Sequence, residues 1–360
     1  MTRRDQILKL IVEHFVKTAE PVGSKTLLET YNLKVSSATI RNEMNSLEND
    51  GLLEKTHTSS GRVPSEAGYA YYVEHLRDEK VEDNVKYALQ GVLEDKAKSV
   101  EEVIKESCEI LSHMTNLASV VLGPGSDEEK LASIQLIPLS GNMATAVFVT
   151  DKGYVENKTF VLSDERINVS DLQKMVSTLN DRLSGTPISK LVSKMEAMKP
   201  ILKDWLVGRE VMFQMLMQAL VKFQGERMSL YGKEALYDVP EFAKDGEKLR
   251  KVLELLDNPK ILREAVKNAK PTSGGVNVKI GDKNSNLEDM AIVSTDLNLP
   301  GDASTCLTIL GPQRMDYDKV VATLKYVAGA LEDYFANQSN GGNKTECEKK
   351  KTNSSKKSKK

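Results

Sequence analysis

Three short amphipathic stretches near the amino terminus limit what this chain can fold into more than any other feature. Apolar residues recur with helical spacing over residues 3–17. A second short helix is predicted to begin with Ser24 as its cap. Ser36 and Ser37 are good caps for a third helix over residues 38–49, whose apolar positions share one face.

The segment after the third predicted helix has the pattern of a β-hairpin. Residues 52–56 and 62–64 are strand-like, and the turn between them is polar and contains Gly61. Three short helices followed by a hairpin form a winged helix-turn-helix. This unit therefore predicts the fold of the first 64 residues or so.

The outer side of the third predicted helix carries short polar side chains and one guanidinium group, which suit the edges of bases in the major groove of DNA. On this helix we predict DNA contacts from Ser37, Thr39, Arg41, Asn42 and Asn45. On the hairpin we predict contacts from Lys55, His57, Ser60 and Arg62.

The winged-helix pattern alone does not show that this domain binds DNA, because a winged helix also serves as a protein-docking module. Charge does not decide between the two, because residues 3–64 carry nine Lys or Arg against eight Asp or Glu. One such weakly basic domain would bind DNA weakly. The balance therefore favours a dimer that reads two half-sites.

Length and composition restrict the remaining classes. A chain of 360 residues suits two or three domains. It contains no run of about 18 apolar residues, and charged residues interrupt its first apolar stretch, so we expect a cytoplasmic protein. Cys108, Cys306 and Cys347 are far apart and form no CxxC pair. We therefore expect no disulfide framework, no metal and no cofactor.

Helical and strand-like patterns alternate beyond residue 80 and predict an α+β region. The helical pattern over residues 85–114 is compatible with a core helix or with a spacer between domains. Strands are predicted at 118–122 and 134–136, and a hairpin at 144–162. A mainly helical stretch follows over 169–231.

Methionines are frequent between Met212 and Met228 of this stretch. They suit a core, or a helix–helix interface that can repack. Further strands follow from Val276, and a closing amphipathic helix is predicted over residues 317–335. Beyond it, the tail from Lys344 carries eight Lys against two Glu. The tail is predicted to be disordered and solvated, or to add nonspecific affinity for DNA.

No catalytic motif is found: the chain contains no GxSxG, no P-loop and no dinucleotide fingerprint. The Gly311–Arg314 turn could bind an anion, but a structural turn with a partly buried salt bridge is favoured. Three functions stay open on the residues alone, namely a DNA-binding repressor, a ligand-sensing regulator and an enzyme with an accessory winged helix. The ligand sensor would need a roomy, polar-lined pocket in the α+β part.

Several motifs together resemble the HrcA family of bacterial heat-inducible repressors. In the first part they are Ser36-Ser-Ala-Thr-Ile-Arg-Asn-Glu-Met44, Gly51-Leu-Leu-Glu, His57-Thr-Ser-Ser-Gly-Arg-Val-Pro64, Gly68-Tyr69 and Tyr72-Val73. Later they are Gly141-Asn, Gly153-Tyr-Val-Glu, Pro240-Glu-Phe242, Ile280-Gly281 and Gly311-Pro-Gln-Arg-Met-Asp-Tyr317. Thr56 departs from the family, where we expect proline. The resemblance covers residues 2 to about 336.

The resemblance implies an α+β multidomain fold, in which a winged helix precedes a GAF-like domain that an inserted, mainly helical dimerising domain interrupts. The expected boundaries are 1–78 for the winged helix, 79–116 for linker helices, 117–164 and 233–336 for the split GAF-like domain, 165–232 for the inserted domain and 337–360 for the disordered tail.

The resemblance also implies a mechanism. A homodimer is expected to bind an inverted-repeat operator of the CIRCE type beside chaperone genes. Repression is expected to end when heat occupies the GroEL chaperonin that keeps the repressor folded. The alternative is a small-molecule-sensing transcriptional regulator that uses its GAF-like domain.

Overall fold

The computed structural model divides the chain into two compact units. Unit 1 comprises residues 1–122, 228–297 and 306–360, and unit 2 comprises residues 123–227 and 298–305. The structure describes residues 1–55, 61–95, 98–125, 127–139, 143–161, 169–200, 210–225, 227–272, 275–281, 288–299 and 302–354, with backbone only for 302–304 and 338–354.

Unit 1 begins with the predicted winged helix. Its elements are α1 (Arg3–Thr18), α2 (Ser24–Tyr31), α3 (Ser37–Asn49), β1 (Leu53–Lys55), β2 (Arg62–Pro64) and α4 (Glu66–His75). Strands β1 and β2 pair antiparallel, with Glu54 opposite Val63. The three predicted helices and the hairpin are thereby confirmed.

Local capping explains where these helices begin. Thr2 and Asp5 form a capping box at α1, and the Ser36 hydroxyl accepts from the Thr39 N–H at 3.1 Å at α3. The predicted cap at Ser24 was wrong, because Gly23 is the N-cap of α2 and Ser24 is its first residue. The Ser24 hydroxyl instead lies 3.0 Å from the hydroxyl of Ser37.

The rest of unit 1 is an antiparallel sheet with helices on both sides. Its strands lie in the order β7–β3–β11–β10–β9–β8, and they are β3 (Ala118–Leu122), β7 (Met228–Tyr231), β8 (Lys270–Pro271), β9 (Asn277–Ile280), β10 (Met290–Leu299) and β11 (Asp302–Pro312). The helices are α5 (Asp83–Glu94), α6 (Val100–Thr115), α10 (Pro240–Ala243), α11 (Gly246–Leu256), α12 (Pro259–Lys267) and α13 (Tyr317–Ser354).

The two faces of the sheet are covered by different helices. Val120 and Leu122 pack with Phe242, Leu256 and Leu262 in one buried cluster. On the other face the Ser119 hydroxyl donates to the Cys108 carbonyl of α6 at 2.8 Å, and α6 packs against α13. Of the two readings of residues 85–114, the structure therefore supports core helices.

Unit 2 contains a separate antiparallel sheet in the order β4–β5–β6, covered by helices on one face. Its elements are β4 (Leu131–Pro138), β5 (Met143–Thr150), β6 (Val155–Val161), α7 (Val169–Leu183), α8 (Leu191–Met198) and α9 (Glu210–Phe223). Phe148 from the sheet packs with Leu179 of α7 and Leu216 of α9 in the buried cluster. The predicted hairpin at 144–162 is confirmed as β5 and β6.

The two ends of unit 2 meet. The Gly123 N–H donates to the Arg227 carbonyl at 3.0 Å. The buried Glu129 carboxylate pairs with Arg227 and accepts from the Thr150 hydroxyl at 3.1 Å. The Arg227 guanidinium lies 3.6 Å from the centroid of the Tyr154 ring. Residues 123–227 of unit 2 thus form an insertion in the chain, which begins after β3 and ends before β7, whereas residues 298–305 come from the ends of β10 and β11.

The predicted domain boundaries differ from these. The expectation assigned 117–164 to the GAF-like domain and 165–232 to the insertion, whereas the break lies at residues 123 and 227. Residues 228–231, expected to be helical, form strand β7 beside β3. An alternating strand pattern does not reveal which sheet a strand joins, because pairing is decided by distant residues.

The carboxyl-terminal tail also differs from its prediction. Helix α13 extends to Ser354, whereas the composition predicts disorder from residue 337. Extending a helix that is already nucleated costs little, and the packed residues up to Phe335 nucleate this one. Within the described residues, no helix is both long and apolar enough to cross a membrane.

The winged helix is joined to the rest of unit 1 through α4 and the start of α13. The Tyr72 hydroxyl donates to Asp318 at 2.7 Å, and the Asp78 N–H donates to the same carboxylate at 3.1 Å. Burial raises the pKa of Asp318, and these two hydrogen bonds oppose the shift. The rings of Tyr69 and Tyr317 lie 5.7 Å apart and are fully buried.

Arg314 makes a second connection. Its Nε donates to Glu241 at 2.6 Å, and its Nη1 donates to the Val16 carbonyl at the end of α1. The Arg314 side chain is 18% exposed. The predicted structural turn with a partly buried salt bridge is confirmed.

We predict that Gly68→Ala destabilises the winged helix, whereas Gly91→Ala does not. A Cβ atom at Gly68 would lie 2.0 Å from the Leu52 carbonyl oxygen, so α4 would have to move away from the turn before β1. Such overpacking costs about 1–3 kcal/mol. A Cβ atom at Gly91 meets nothing within 4 Å, and alanine in a helix is about 0.5–1 kcal/mol more favourable than glycine. Urea unfolding of both variants measures the difference, and equal stability would contradict the packing at Gly68.

Candidate nucleic-acid interface

The third helix of the winged helix holds its apolar side against the domain and its polar side outward. Ile40, Met44 and Leu47 are buried. Arg41, Asn42 and Asn45, which lie between them in sequence, are exposed. Because residues three and four apart lie on one side of a helix, these three polar side chains form one surface. The major groove of DNA is wide enough to admit an α-helix, and short polar side chains such as these suit the edges of its bases.

Ser37 and Thr39 are placed differently from the other residues predicted on α3. Both are half-buried, and their hydroxyls are already hydrogen-bonded. Ser37 contacts Ser24 of α2, and the Thr39 hydroxyl lies 2.9 Å from the hydroxyl of Ser36. These bonds fix the start of α3. A hydroxyl both donates and accepts, so each can also contact a phosphate.

Arg62 differs most from its prediction. It was expected to reach a phosphate or the minor groove, but it is only 6% exposed and turns into the domain. Its Nε donates to Glu48 at 2.7 Å, and its Nη2 donates to the Asn45 side chain at 3.1 Å. The guanidinium thus joins the hairpin to α3. A buried arginine stays charged and therefore needs such a partner.

The wing is only partly described. Lys55 is exposed at the end of β1. His57, Ser60 and Thr56 lie outside the described residues, so their predicted roles stay predictions.

Ala38 is one residue that the sequence analysis missed. It is exposed and lies three residues before Arg41 and four before Asn42, on the same side of α3. A small apolar side chain at this place suits the methyl group of thymine. The spacing was visible in the sequence, but alanine offers no polar atom and so drew no attention.

Two other groups of the described residues that could be chemically active, a carboxylate cluster and a thiol, have a structural setting. The carboxylates of Glu13, Asp78 and Asp318 lie close together, but Lys9 pairs with Asp78 at 2.8 Å and Tyr72 donates to Asp318. Cys108 is a buried free thiol, and burial raises its pKa to about 12, so it is protonated at neutral pH.

We predict that Arg41→Ala weakens binding to a specific operator at least about fivefold, because a good base contact contributes about 1–3 kcal/mol of discrimination. Arg41 is exposed, so circular dichroism is expected to be unchanged. Arg250→Ala is the control, since it removes the same charge from an exposed site on α11. Gel shifts measure both variants. An unchanged affinity of folded Arg41→Ala would exclude Arg41 from the interface.

Comparison with known proteins agrees with this geometry. Residues 3–63 match the DeoR-like helix-turn-helix domain family, and residues 101–321 match the family of the HrcA protein C-terminal domain. A solved structure described as a hypothetical protein at 2.2 Å resolution has the same fold, with a TM-score of 0.61 and 22% identity over 94% of this chain and 99% of that one.

Two relatives are similar over most of their length. The heat-inducible transcription repressor HrcA of Bacillus pumilus (strain SAFR-032) is 37% identical over 92% of this chain and 96% of its own. The protein of the same name from Shouchella clausii (strain KSM-K16) is 38% identical over 88% of this chain and 92% of its own. With its helix-turn-helix at the amino terminus and the C-terminal domain of the family after it, this chain belongs to the HrcA family.

Proposed function

We propose that this protein is a transcription repressor of chaperone genes that binds an inverted-repeat operator of the CIRCE type as a homodimer. The observation that carries the proposal is the exposed polar side of α3, with Arg41, Asn42 and Asn45 on one surface. The family and the names of the relatives support it. Such a repressor acts where the bacterial chromosome lies, so we place it in the cytoplasm.

The packing of the sheet in unit 1 supports this function over the ligand-sensing alternative. A ligand sensor would hold its ligand between the sheet and the covering helices. There, Leu236, Phe242, Leu256 and Leu262 are fully buried and fill the space with apolar side chains. The cavity beside Phe242, Val252 and Met290 of this core has a volume of only about 20 Å³, too small for a polar effector. A larger cavity of about 510 Å³ lies between α4 and strands β8 and β9, outside this core.

The charge of the winged helix supports a dimer. Within the domain, Glu48 pairs with Arg62, Asp50 pairs with Arg4, and Lys9 pairs with both Glu13 and Asp78. These ion pairs occupy three of its cations. Because phosphate neutralisation provides most of the affinity for DNA, one such domain binds weakly, and two linked domains gain from effective concentration.

The outer face of the sheet in unit 2 is the surface that we assign to the dimer contact. We call it the open sheet face. Alternation along the strands and their register place on it Ser133, Gln135, Ile137, Met143, Thr145, Val147, Val149, Val155, Asn157, Thr159 and Val161. None of these side chains is charged, and Ile137, Val155 and Val161 are 47%, 52% and 63% exposed.

An uncharged face suits a second copy of the same chain. In a two-fold interface the same patch of both copies meets, and residues near the axis lie beside their own equivalents, so like charges there would repel each other. Exposed apolar side chains that share one uncharged face in this way suit an interaction site. This assignment keeps the dimer contact in the insertion, but on its sheet rather than on its helices.

We predict that Val147→Lys separates the dimer, because it brings two ammonium groups together at the centre of the open sheet face. Gln218→Lys, which adds the same charge at an exposed site on α9, is the control. Sedimentation at micromolar concentration is expected to give a monomer for Val147→Lys only. Affinity for the inverted repeat should fall, while affinity for one half-site stays the same. A dimer that survives Val147→Lys would exclude this face.

The proposed release of repression depends on slow folding. Strand β3 pairs with β7, which lies more than 100 positions later in the chain, and with β11, which lies more than 180 positions later. Long-range pairing of this kind folds slowly and exposes apolar surface meanwhile. A chaperonin of the GroEL type is therefore expected to assist folding, and heat that fills it with other clients lowers the supply of active repressor.

We predict that mildly heated protein regains operator binding on cooling with chaperonin and ATP, but not with buffer alone. Chaperonin without ATP is the control, because it binds unfolded chains without releasing them. Gel shifts with the inverted-repeat operator measure the recovery. If binding survives heating unaided and a metabolite releases the operator instead, the release mechanism is wrong.

A further inference from the structure

The buried Arg62 fixes the side chain of Asn45, one of the residues on the exposed surface of α3. Arg62 Nη2 donates to Asn45 Oδ1 at 3.1 Å. The same guanidinium is held by Glu48, one turn further along α3, at 2.7 Å from Nε and 2.6 Å from Nη2. Two donor nitrogens of Arg62 thus lie on one carboxylate oxygen. The hydrogen bond from Nη2 to Asn45 Oδ1 then fixes the orientation of the Asn45 amide.

The chemistry of the two side chains determines which way the Asn45 amide points. A guanidinium group only donates hydrogen bonds, so the amide must turn its oxygen toward Arg62. Asn45 is exposed, and its NH₂ group is the part left for a ligand. Within the described residues, no acceptor is recorded for that NH₂ group.

This orientation has a consequence for base recognition. An unrestrained asparagine suits adenine, because its oxygen accepts from N6 while its nitrogen donates to N7. At Asn45 the oxygen is held by Arg62, so the side chain presents donors. Among the major-groove acceptors, guanine offers two neighbouring atoms, O6 and N7, and thymine offers O4. The single acceptor of adenine, N7, lies beside the N6 donor, which a side chain that presents only donors cannot pair.

We infer that Asn45 selects guanine or thymine at one position of each half-site, and that Arg62 is the positioning residue that sets this preference from inside the domain. The inference rests on the proposed function, because it assumes that α3 enters the major groove. It assigns to Arg62 an effect on specificity without any contact with DNA.

The first measurement locates the base pair that Asn45 reads. Wild-type protein and Asn45→Ala are titrated with inverted-repeat duplexes in which each base pair of both half-sites is replaced in turn. In Asn45→Ala, the identity of one base pair is expected to stop affecting the affinity for the duplex. At that position the wild type should prefer guanine or thymine over adenine by about 5- to 150-fold. A wild-type preference for adenine there, or no such position, would overturn the inference.

The second measurement tests the role of Arg62. Arg62→Lys keeps the charge but loses the fork that holds Glu48 and Asn45 together. At the base pair that Asn45 reads, Arg62→Lys is expected to bind guanine or thymine with an affinity within about twofold of that for adenine. The preferences at the other base pairs should stay unchanged. In the Asn45→Ala background, Arg62→Lys should have no further effect at that position. A uniform loss of affinity over all sequences would make Arg62 a structural residue only and overturn the inference.

If Arg62→Lys does not fold, a variant on the exposed surface of α3 tests the same inference. Asn45→Asp preserves the size of the side chain and its bond with Arg62, but it removes both donors. It is expected to lose the preference for guanine or thymine and to favour cytosine or adenine, whose N4 and N6 amino groups donate. Asn42→Ala, which lacks a contact with Arg62, is the control and should change a different base pair. A retained preference in Asn45→Asp would contradict the inference, whereas failure of the wild type to bind any of the duplexes would contradict the proposed function itself.

Discussion

The antiparallel pairing of β3 with a strand on either side is the interaction on which the remaining structure depends. Val120 of β3 lies opposite Thr308 of β11 and opposite Leu230 of β7. These pairs bring together residues from the first, the middle and the last third of the chain. The sheet they form carries the helices of unit 1 on both faces, and the return of the chain at β7 closes the insertion.

The winged helix depends on that same region of the fold. Tyr69 and Tyr72 of α4 contact Tyr317 and Asp318, which begin the helix directly after β11. Arg314, in the turn between β11 and α13, reaches the end of α1. The DNA-reading domain is therefore anchored by buried aromatic packing and partly buried hydrogen bonds, not by surface ion pairs alone. Its orientation within unit 1 follows from the correct folding of the sheet.

Local signals in the sequence were sufficient for the winged helix. The cap at Ser36 and the polar sequence between the two predicted strands each act over a few residues, so they can be read without knowing the fold. The exposed positions Arg41, Asn42 and Asn45 followed from helical spacing.

Contacts between residues that are far apart in the sequence could not be predicted in this way. Arg62 looked like a DNA contact because its partner Glu48 faces it only once the hairpin folds back on α3. Strand β7 looked like the end of a methionine-rich helix because the strand that pairs with it lies more than 100 residues earlier.

The link between Tyr72 and Asp318 has a consequence for synthesis of the protein. The two residues are 246 positions apart, so at roughly 5–20 residues per second the ribosome completes the partner of Tyr72 about 12 to 50 seconds after Tyr72 itself. During that time the nascent winged helix carries an uncovered aromatic surface formed by Tyr69 and Tyr72. A truncated or stalled chain therefore keeps this surface exposed, and only a chain translated to the start of its last helix can cover it.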